Sequence, residues 1–257
     1  MVKGVLLDLS GVLYDGDSVI DGAPEALARL REAALPVRFL TNSTRAPRRA
    51  VLDKLDRFGF ELSGDELFTP ASAARERLRE GGLDPHLLIH PDLEEDFEGL
   101  QGGGSGRAVV VGDAGRHFNF DSLNAAFRVL AEGAEFYALA ANRTFRDSDG
   151  ELSMDAGAFV AALEFASEQE AEVLGKPAQA FFDAALADMG VAAEDAAMVG
   201  DDVASDVAGA LKAGLGLAVL VRTGKYRDGD ESRAEPAPSH VAGDITAAVD
   251  WLLDKAE

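Results

Sequence analysis

Val5-Leu6-Leu7-Asp8-Leu9-Ser10-Gly11-Val12 is the stretch that decides the fold. Its apolar start is typical of a strand buried in a parallel sheet, and the apolar run ends at a carboxylate, a hydroxyl and a glycine. Ligands of open α/β sheets bind at the carboxyl ends of the strands, so Asp8 is placed to act as a nucleophile or a metal ligand. This stretch alone leaves the alternative open that Asp8 is only a polar strand end at the start of a loop.

Apolar runs alternate with helical patterns along the rest of the chain, which predicts an α/β fold with a doubly wound parallel sheet. The composition changes near residue 79, and the residues that follow contain strands and helices of their own. We therefore expect a core domain of residues 1–78 and 175–257 and an inserted α/β domain of residues 79–174. Polar residues 14–22 and 143–151 predict loops, and glycine-rich residues 102–106 predict a flexible turn.

The composition is that of a globular protein, with 257 residues of which 47% are hydrophobic. The chain has no cysteine, which excludes disulfides, thiolate catalysis and cysteine-based metal sites. No apolar run is long enough for a membrane span, and residues 1–4 lead straight into the first strand without room for a signal peptide. These features together predict a cytoplasmic protein.

The net charge is −22, from 46 acidic and 24 basic residues. Such a surface repels nucleic acid and anionic lipid, so neither is an expected partner. A phosphorylated substrate would also be repelled unless a local cation or metal ion attracts it. High solubility and adaptation to a salt-rich cytoplasm are both explanations that the charge leaves open.

Polar residues also follow three later strand patterns. Thr41 and Asn42 follow residues 37–40, Lys176 follows residues 172–174, and Asp201 with Asp202 follows residues 196–200. A helix cap, an exposed lysine and a solvated turn are the respective alternatives. Carboxylates crowded after a buried strand and a glycine, however, favour a bound cation.

We expect these strand ends to meet at one edge of a single parallel sheet. That edge would combine a carboxylate nucleophile, an anion cradle, a lysine and a metal site. Phosphoryl transfer needs this set of groups, because its catalysis depends mainly on positioning and on charge neutralisation.

The chain resembles the haloacid dehalogenase-like phosphatases in four motifs: Asp8-Leu9-Ser10-Gly11-Val12, Thr41-Asn42-Ser43, Gly175-Lys176-Pro177, and Gly200-Asp201-Asp202 with Asp206. The order of the motifs and the insertion between the second and the third are similar to the subgroup with an α/β cap. The resemblance implies a Rossmann-like core, Mg²⁺ as cofactor, a small phosphorylated substrate and an aspartyl-phosphate intermediate. A homodimer through the cap is an expectation by analogy only.

The resemblance also implies a role for each motif residue. Asp8 would attack phosphorus, and Lys176 would offset the negative charge there. Mg²⁺ would be held by the carboxylates of Asp8 and Asp201 and by the backbone carbonyl of Ser10. Asp202 and Asp206 would orient the lysine or the water around the metal. The phosphate-binding residues would be Asp8, Leu9, Ser10, Lys176, the hydroxyl of Thr41 and the backbone N–H of Asn42.

Ser10 departs from the motif, because most family members carry a second aspartate there that protonates the leaving group and activates water. Losing a general acid or base typically costs ~10²–10⁴-fold in rate. The cost shrinks when the leaving group departs easily, a condition that pyrophosphate, acyl phosphates and P–N bonds meet better than alkyl phosphates. This chemistry favours P–O–P or P–N substrates, and the resemblance implies the same class, with inorganic pyrophosphate, phosphohistidine and phospholysine as its members. Two alternatives stay open: a phosphatase for small sugar, glycolate or nucleotide phosphates, and a weakly catalytic regulatory protein that binds Mg²⁺ and phosphate.

Overall fold

Short runs rich in Val, Leu and Ala form two parallel sheets in the computed structural model, which describes residues 1–100, 106–146 and 151–256. The chain divides into two compact units. The first unit contains Met1–Thr41, Leu52–Phe68 and Lys176–Glu257, and the second contains Asn42–Val51 and Thr69–Gly175.

Strands and helices are numbered in chain order. The strands are β1 (Gly4–Asp8), β2 (Tyr14–Asp15), β3 (Ser18–Val19), β4 (Val37–Leu40), β5 (Leu67–Phe68), β6 (Leu83–Leu88), β7 (Gly106–Val111), β8 (Glu135–Ala138), β9 (Thr144–Arg146), β10 (Leu152–Met154), β11 (Glu172–Val173), β12 (Ala196–Gly200), β13 (Leu217–Val221) and β14 (His240–Ala242). The α-helices are α1 (Ala23–Glu32), α2 (Arg48–Arg57), α3 (Pro70–Gly81), α4 (Phe120–Ala131), α5 (Ala156–Ser167), α6 (Gln179–Met189), α7 (Gly209–Lys212) and α8 (Ile245–Ala256). A π-helical turn, Val203–Ala208, directly precedes α7.

The first unit is built on a six-stranded sheet with the order β14-β13-β12-β1-β4-β5. All neighbouring strands in it are parallel. Every residue of β1 and of β12 is buried, so the sheet is covered on both faces, as parallel sheets require. Helix α8 packs on β12, β13 and α1, while α6 packs on β4 and α7.

The sheet has its topological switch point at β1. The chain continues from β1 to β4 and β5 on one side, and its later strands, β12 to β14, lie on the other side. Asp8 is level with Leu40 of β4, and Leu7 is level with Val199 of β12. The residues that follow β4 and β12 therefore emerge at the same edge as Asp8, where doubly wound proteins bind their ligands.

The second unit contains a four-stranded parallel sheet with the order β11-β8-β7-β6. One apolar cluster joins this sheet to α4 and α5, and another joins it to α3. Helices α4 and α5 begin at capping side chains: Asn119 accepts hydrogen bonds from Asp121 and Ser122, and Asp155 accepts one from Ala156.

The structure confirms the predicted α/β class with a mostly parallel architecture. The two predicted loops are wrong in part, because residues 14–22 include the hairpin β2–β3 and residues 143–151 include β9, which pairs with β10. Residues 102–105 of the predicted glycine-rich turn lie outside the described residues. The two compact units divide the chain at positions that differ from the predicted domain boundaries. Those boundaries stay a prediction.

Among the residues that the structure describes, no helix combines the length and apolar character needed to cross a bilayer.

Candidate active site

Lys176 lies between two buried carboxylates. Its Nζ contacts Oδ1 of Asp8 and lies 2.7 Å from Oδ1 of Asp206. Lys176 is 3% exposed, Asp8 7% and Asp206 1%, so these charges are almost fully removed from water. Burial alone would lower the pKa of Lys176, but the negative Asp206 and Asp8 outweigh it and raise the pKa above its ordinary value. The ammonium group therefore stays charged inside the protein.

The route by which Lys176 reaches this position differs from the prediction. We expected Lys176 at the end of a strand in the same sheet as Asp8, but the strand before it, β11, pairs with β8 in the four-stranded sheet. Lys176 instead stands three residues before α6. Its Nζ also lies 3.4 Å from the carbonyl oxygen of Leu40, at the end of β4.

Asp201, directly after β12, completes a triad of buried carboxylates with Asp8 and Asp206. One oxygen from each of the three side chains lies within 4.8 Å of the others. Burial and the neighbouring charges of Asp8 and Asp206 raise the pKa of Asp201 to about 8. In the absence of a cation, the triad thus favours a proton on Asp201 at neutral pH.

The two remaining acidic candidates are engaged by backbone groups. Asp206 Oδ2 accepts a hydrogen bond from the Asp202 N–H at 3.1 Å, while its Oδ1 faces Lys176. Asp202 Oδ1 accepts hydrogen bonds from Ala204 and Ser205, each at 3.0 Å, and so caps the π-helical turn. One oxygen of Asp206 is therefore held by the backbone and the other faces Lys176. This arrangement suits Asp206 to positioning Lys176. Asp202 is not in the triad.

The loop after β13 contributes to the site and was not predicted to do so. The Lys225 N–H donates to Oδ2 of Asp201 at 2.6 Å, and the Thr223 hydroxyl donates to the Gly11 carbonyl. A β-carbon on Gly224 would overlap the Asp201 carboxylate and come within 2.5 Å of the Gly11 Cα. The sequence shows only a polar Thr-Gly-Lys segment directly after the apolar run of β13, and the contact through the Lys225 backbone N–H has no signal in the side chains.

If the triad holds a divalent cation, Gly224→Ala should weaken its binding, because the added methyl group would displace Asp201. Disturbing the groups that hold a metal ligand in place typically costs about 10–100-fold in metal affinity. The measurement is the Mg²⁺ concentration that gives half-maximal activity. Gly229→Ala is the matched control: Gly229 also has a positive φ, 86° against 63° for Gly224, but its β-carbon would have no neighbour closer than 3.9 Å. Equal effects of the two variants would show that only backbone strain matters.

The candidate phosphate-binding residues differ in burial and in the compact unit to which they belong. Thr41 is buried at the end of β4, and its N–H donates to the Phe68 carbonyl oxygen at 3.1 Å. The Leu9 side chain is fully buried, so only its backbone could serve a ligand. Ser10 is exposed directly beyond β1. Asn42 belongs to the other compact unit, and its role stays a prediction.

Tyr14 was not predicted to be part of the site, but it lies close enough to Asp8 for the negative charge to affect its pKa. Burial and this charge raise the pKa of the Tyr14 phenol to about 12. The phenol is therefore neutral at physiological pH. Lys54 lies 4.6 Å above its ring and donates to the Gly16 carbonyl at 2.8 Å, which holds the β2–β3 hairpin.

Comparison with known proteins places this arrangement in a family. Residues 5–103 match the family described as haloacid dehalogenase-like hydrolase, and residues 173–248 match the family described as HAD-hydrolase-like. A phospholysine phosphohistidine inorganic pyrophosphate phosphatase of Xenopus laevis is 43% identical over 98% of this chain and 95% of its own length. The chain belongs to the haloacid dehalogenase-like hydrolases. The resemblance seen in the four motifs is thereby confirmed, and so is the assignment of the protein as a phosphohydrolase of this family.

Two further haloacid dehalogenase-like relatives extend the comparison. The human haloacid dehalogenase-like hydrolase domain-containing protein 2 is 42% identical over 98% of this chain and 96% of its own. A p-nitrophenyl phosphatase from Archaeoglobus fulgidus has the same fold, with a TM-score of 0.88 and 27% identity over 97% of this chain and 99% of that one. As a phosphatase of this family, the protein acts on small phosphorylated molecules.

The carboxylate triad suits a divalent cation. Mg²⁺ and similar ions take carboxylate and carbonyl oxygens as ligands, and the triad offers such oxygens within 4.8 Å of one another. With all three buried carboxylates ionised, one lysine leaves an excess of two negative charges, which a divalent ion would balance. Burial, followed by the charges of Asp8 and Asp206, raises the pKa of Asp201, and a bound cation would oppose this shift.

Proposed function

We propose that the protein is a Mg²⁺-dependent phosphatase that hydrolyses P–O–P or P–N bonds, with inorganic pyrophosphate, phosphohistidine and phospholysine as the substrate class. The single observation that carries the proposal is the buried contact between Lys176 and Asp8, a member of the carboxylate triad, in a chain with serine at position 10. The name of the Xenopus laevis relative supports the same substrate class.

In the proposed reaction, the Asp8 carboxylate attacks the phosphorus atom and the leaving group departs, which gives an aspartyl phosphate. Water then attacks the phosphorus of this acyl phosphate, the bond between phosphorus and the Asp8 oxygen breaks, and inorganic phosphate leaves as the carboxylate is restored and the proton of the water passes to solvent. Lys176 keeps its positive charge beside Asp8 and lowers the repulsion between the carboxylate and the incoming phosphoryl oxygens. Asp206 holds Lys176 in place, and Thr41 with the backbone of Leu9 supplies donors to the phosphoryl group.

The ligands that we propose for Mg²⁺ are the carboxylates of Asp8 and Asp201 and the backbone carbonyl of Ser10. When bound, the ion supplies charge neutralisation at the phosphoryl oxygens. The Thr223–Lys225 loop holds one oxygen of Asp201, which leaves the other oxygen for the ion.

Ser10 determines the substrate class in this proposal. A serine hydroxyl is too weak an acid to protonate an alkoxide leaving group at neutral pH. Phosphate and the nitrogen leaving groups of phosphohistidine and phospholysine depart more readily. The chain therefore retains activity toward P–O–P and P–N bonds while losing most of it toward alkyl phosphates.

A substrate panel with Mg²⁺ tests this proposal. We expect kcat/KM for pyrophosphate and imidodiphosphate to exceed that for glycerol phosphate and glycolate phosphate by about 10²-fold or more, the lower bound for a missing general acid. Equal or reversed values would favour the alternative of a sugar or glycolate phosphatase. Saturable binding of pyrophosphate without turnover would favour the regulatory alternative.

Ser10→Asp is expected to raise kcat for glycerol phosphate by about 10–100-fold, because the new carboxyl group can protonate the alkoxide. The gain for pyrophosphate should be much smaller, and the ratio of the two gains is the quantity to measure. Asp15→Ser serves as a matched control, since Asp15 is the exposed acid of the nearby strand β2. A large loss in Asp15→Ser together with no gain in Ser10→Asp would show that Asp15 supplies the proton instead.

Cytoplasmic location and a homodimer stay predictions made from the sequence and the resemblance.

A further inference from the structure

A basic cavity lies within the second compact unit. Its volume is about 330 Å³, and it is lined by Arg45, His90, Gly115, Arg116 and His117. This size is at the lower end of the range for small-molecule pockets. All of the side chains in the lining are basic, although the chain as a whole carries a net charge of −22. A concentration of arginine and histidine on so acidic a protein indicates a site for an anion.

Arg45 is held in place by its neighbours. Its Nε lies 2.5 Å from Oδ2 of Asp113, and its guanidinium carbon lies 4.9 Å from the ring centre of Phe145. Asp113 is buried and also accepts the Gly115 N–H at 3.0 Å, while its own N–H donates to the Thr44 hydroxyl at 3.2 Å. The Asp113 carboxylate thus fixes both Arg45 and the start of the loop that carries Arg116 and His117.

The other basic groups of the cavity are available to a ligand. Among the described residues, Arg116 forms no ion pair, and its side chain and that of His117 are exposed. The His90 and His117 rings meet edge to face with their centres 6.5 Å apart. His90 Nδ1 accepts the Asp92 N–H at 3.3 Å and lies 3.5 Å from Oδ2 of Asp92, so only its Nε2 is left as a donor to a ligand.

We propose that this cavity binds the phosphate group of a small molecule through Arg45, Arg116, His90 and His117. Guanidinium groups match the geometry of phosphate oxygens, and imidazole N–H groups supply further donors. Two sources can provide this group: a small phosphorylated organic molecule, and free inorganic phosphate.

Binding can be measured without turnover, so the result is independent of the proposed reaction. The chain has four histidines, and NMR can follow each imidazole while inorganic phosphate or pyrophosphate is added to the metal-free protein. In that protein the carboxylate triad repels phosphate. We expect saturable shifts of His90 and His117. His86 and His240 lie in β6 and β14, outside the cavity, and should not move.

Arg116→Gln should weaken this binding by about tenfold, the effect of losing one charge-assisted hydrogen bond. Arg128→Gln removes the same charge from an exposed position of α4 in the same unit and should change the affinity by less than about twofold. Shifts of equal size in all four imidazoles, no saturation, or equal effects of the two variants would overturn the proposal.

Titrations of the metal-free protein with inorganic phosphate and with glycerol phosphate distinguish the two sources of the phosphate group. If the cavity holds a phosphorylated organic molecule, glycerol phosphate shifts the His90 and His117 signals at a lower concentration than inorganic phosphate does. If the cavity holds free phosphate, inorganic phosphate acts at the lower concentration.

Discussion

Asp8→Asn is expected to lower kcat for pyrophosphate by at least about 10⁴-fold, because an amide cannot act as the nucleophile that forms the phosphoenzyme. The change is nearly isosteric, and Asp8 is 7% exposed at the end of a fully buried strand. Steady-state phosphate release with Mg²⁺ measures the effect.

Asp15→Asn is the matched control for this variant, since it makes the same chemical change on the exposed strand β2. Its kcat should stay within about tenfold of the wild type, far above the residual rate of Asp8→Asn. Circular dichroism should show that both variants are folded. A folded Asp8→Asn protein that retains a tenth of the activity would exclude Asp8 as the nucleophile.

Lys176→Met should have the largest effect on stability. Removing the ammonium group leaves Asp8 and Asp206 buried without their cation, and breaking a buried ion pair in this way typically costs about 3–5 kcal/mol. The free energy of unfolding of the metal-free protein, measured in urea, tests this expectation. Activity should also fall, because nothing else would offset the charge of the phosphoryl group beside Asp8.

The loss in Lys176→Met should depend on pH. Burial already raises the pKa of Asp206 to about 6, with Lys176 opposing the shift, so removing the lysine raises this pKa further. A carboxyl group with a higher pKa in the folded than in the unfolded state loses stability as pH rises from the unfolded value, about 4, through the folded value. The destabilisation should therefore be greater at pH 8 than at pH 5.

Lys225→Met is the control for this variant. Lys225 pairs with Asp202 at 3.4 Å, but its side chain is 65% exposed, and such pairs contribute only about 0–1 kcal/mol. Equal losses in Lys176→Met and Lys225→Met, or a loss in Lys176→Met that does not change with pH, would contradict the buried ion-pair account.

The sequence predicts much of the first unit because its strands carry a strong signal. Buried parallel strands appear as continuous apolar runs, and in β1 and β12 the run ends at an aspartate that the sheet then brings to one edge. The β2–β3 hairpin and the antiparallel pair β9–β10 carry no such signal. Their strands are two or three residues long and mix polar with apolar side chains, and pairing between the strands decides their structure.

Lys176 and Lys225 show what the sequence could not supply. The sequence points to Lys176 as a polar residue after a strand pattern and as part of one of the four motifs. The prediction that this strand belongs to the same sheet as β1 was wrong, because sheet membership depends on long-range pairing. Lys225 supports Asp201 through its backbone N–H, a contact that leaves no mark on side-chain chemistry. The cavity around Arg116 likewise joins residues from separate segments of the chain.

The proposed reaction depends most directly on the bond that forms between Asp8 and phosphorus. Because Ser10 cannot activate water as a carboxylate would, hydrolysis of the intermediate should be slow enough for it to accumulate. Acid quenching of the wild-type protein during turnover of pyrophosphate with Mg²⁺, followed by proteolysis and mass spectrometry, is the deciding measurement. We predict a phosphate adduct on Asp8 that is absent from Asp8→Asn. An adduct on another residue, or turnover without any adduct on Asp8, would contradict the account.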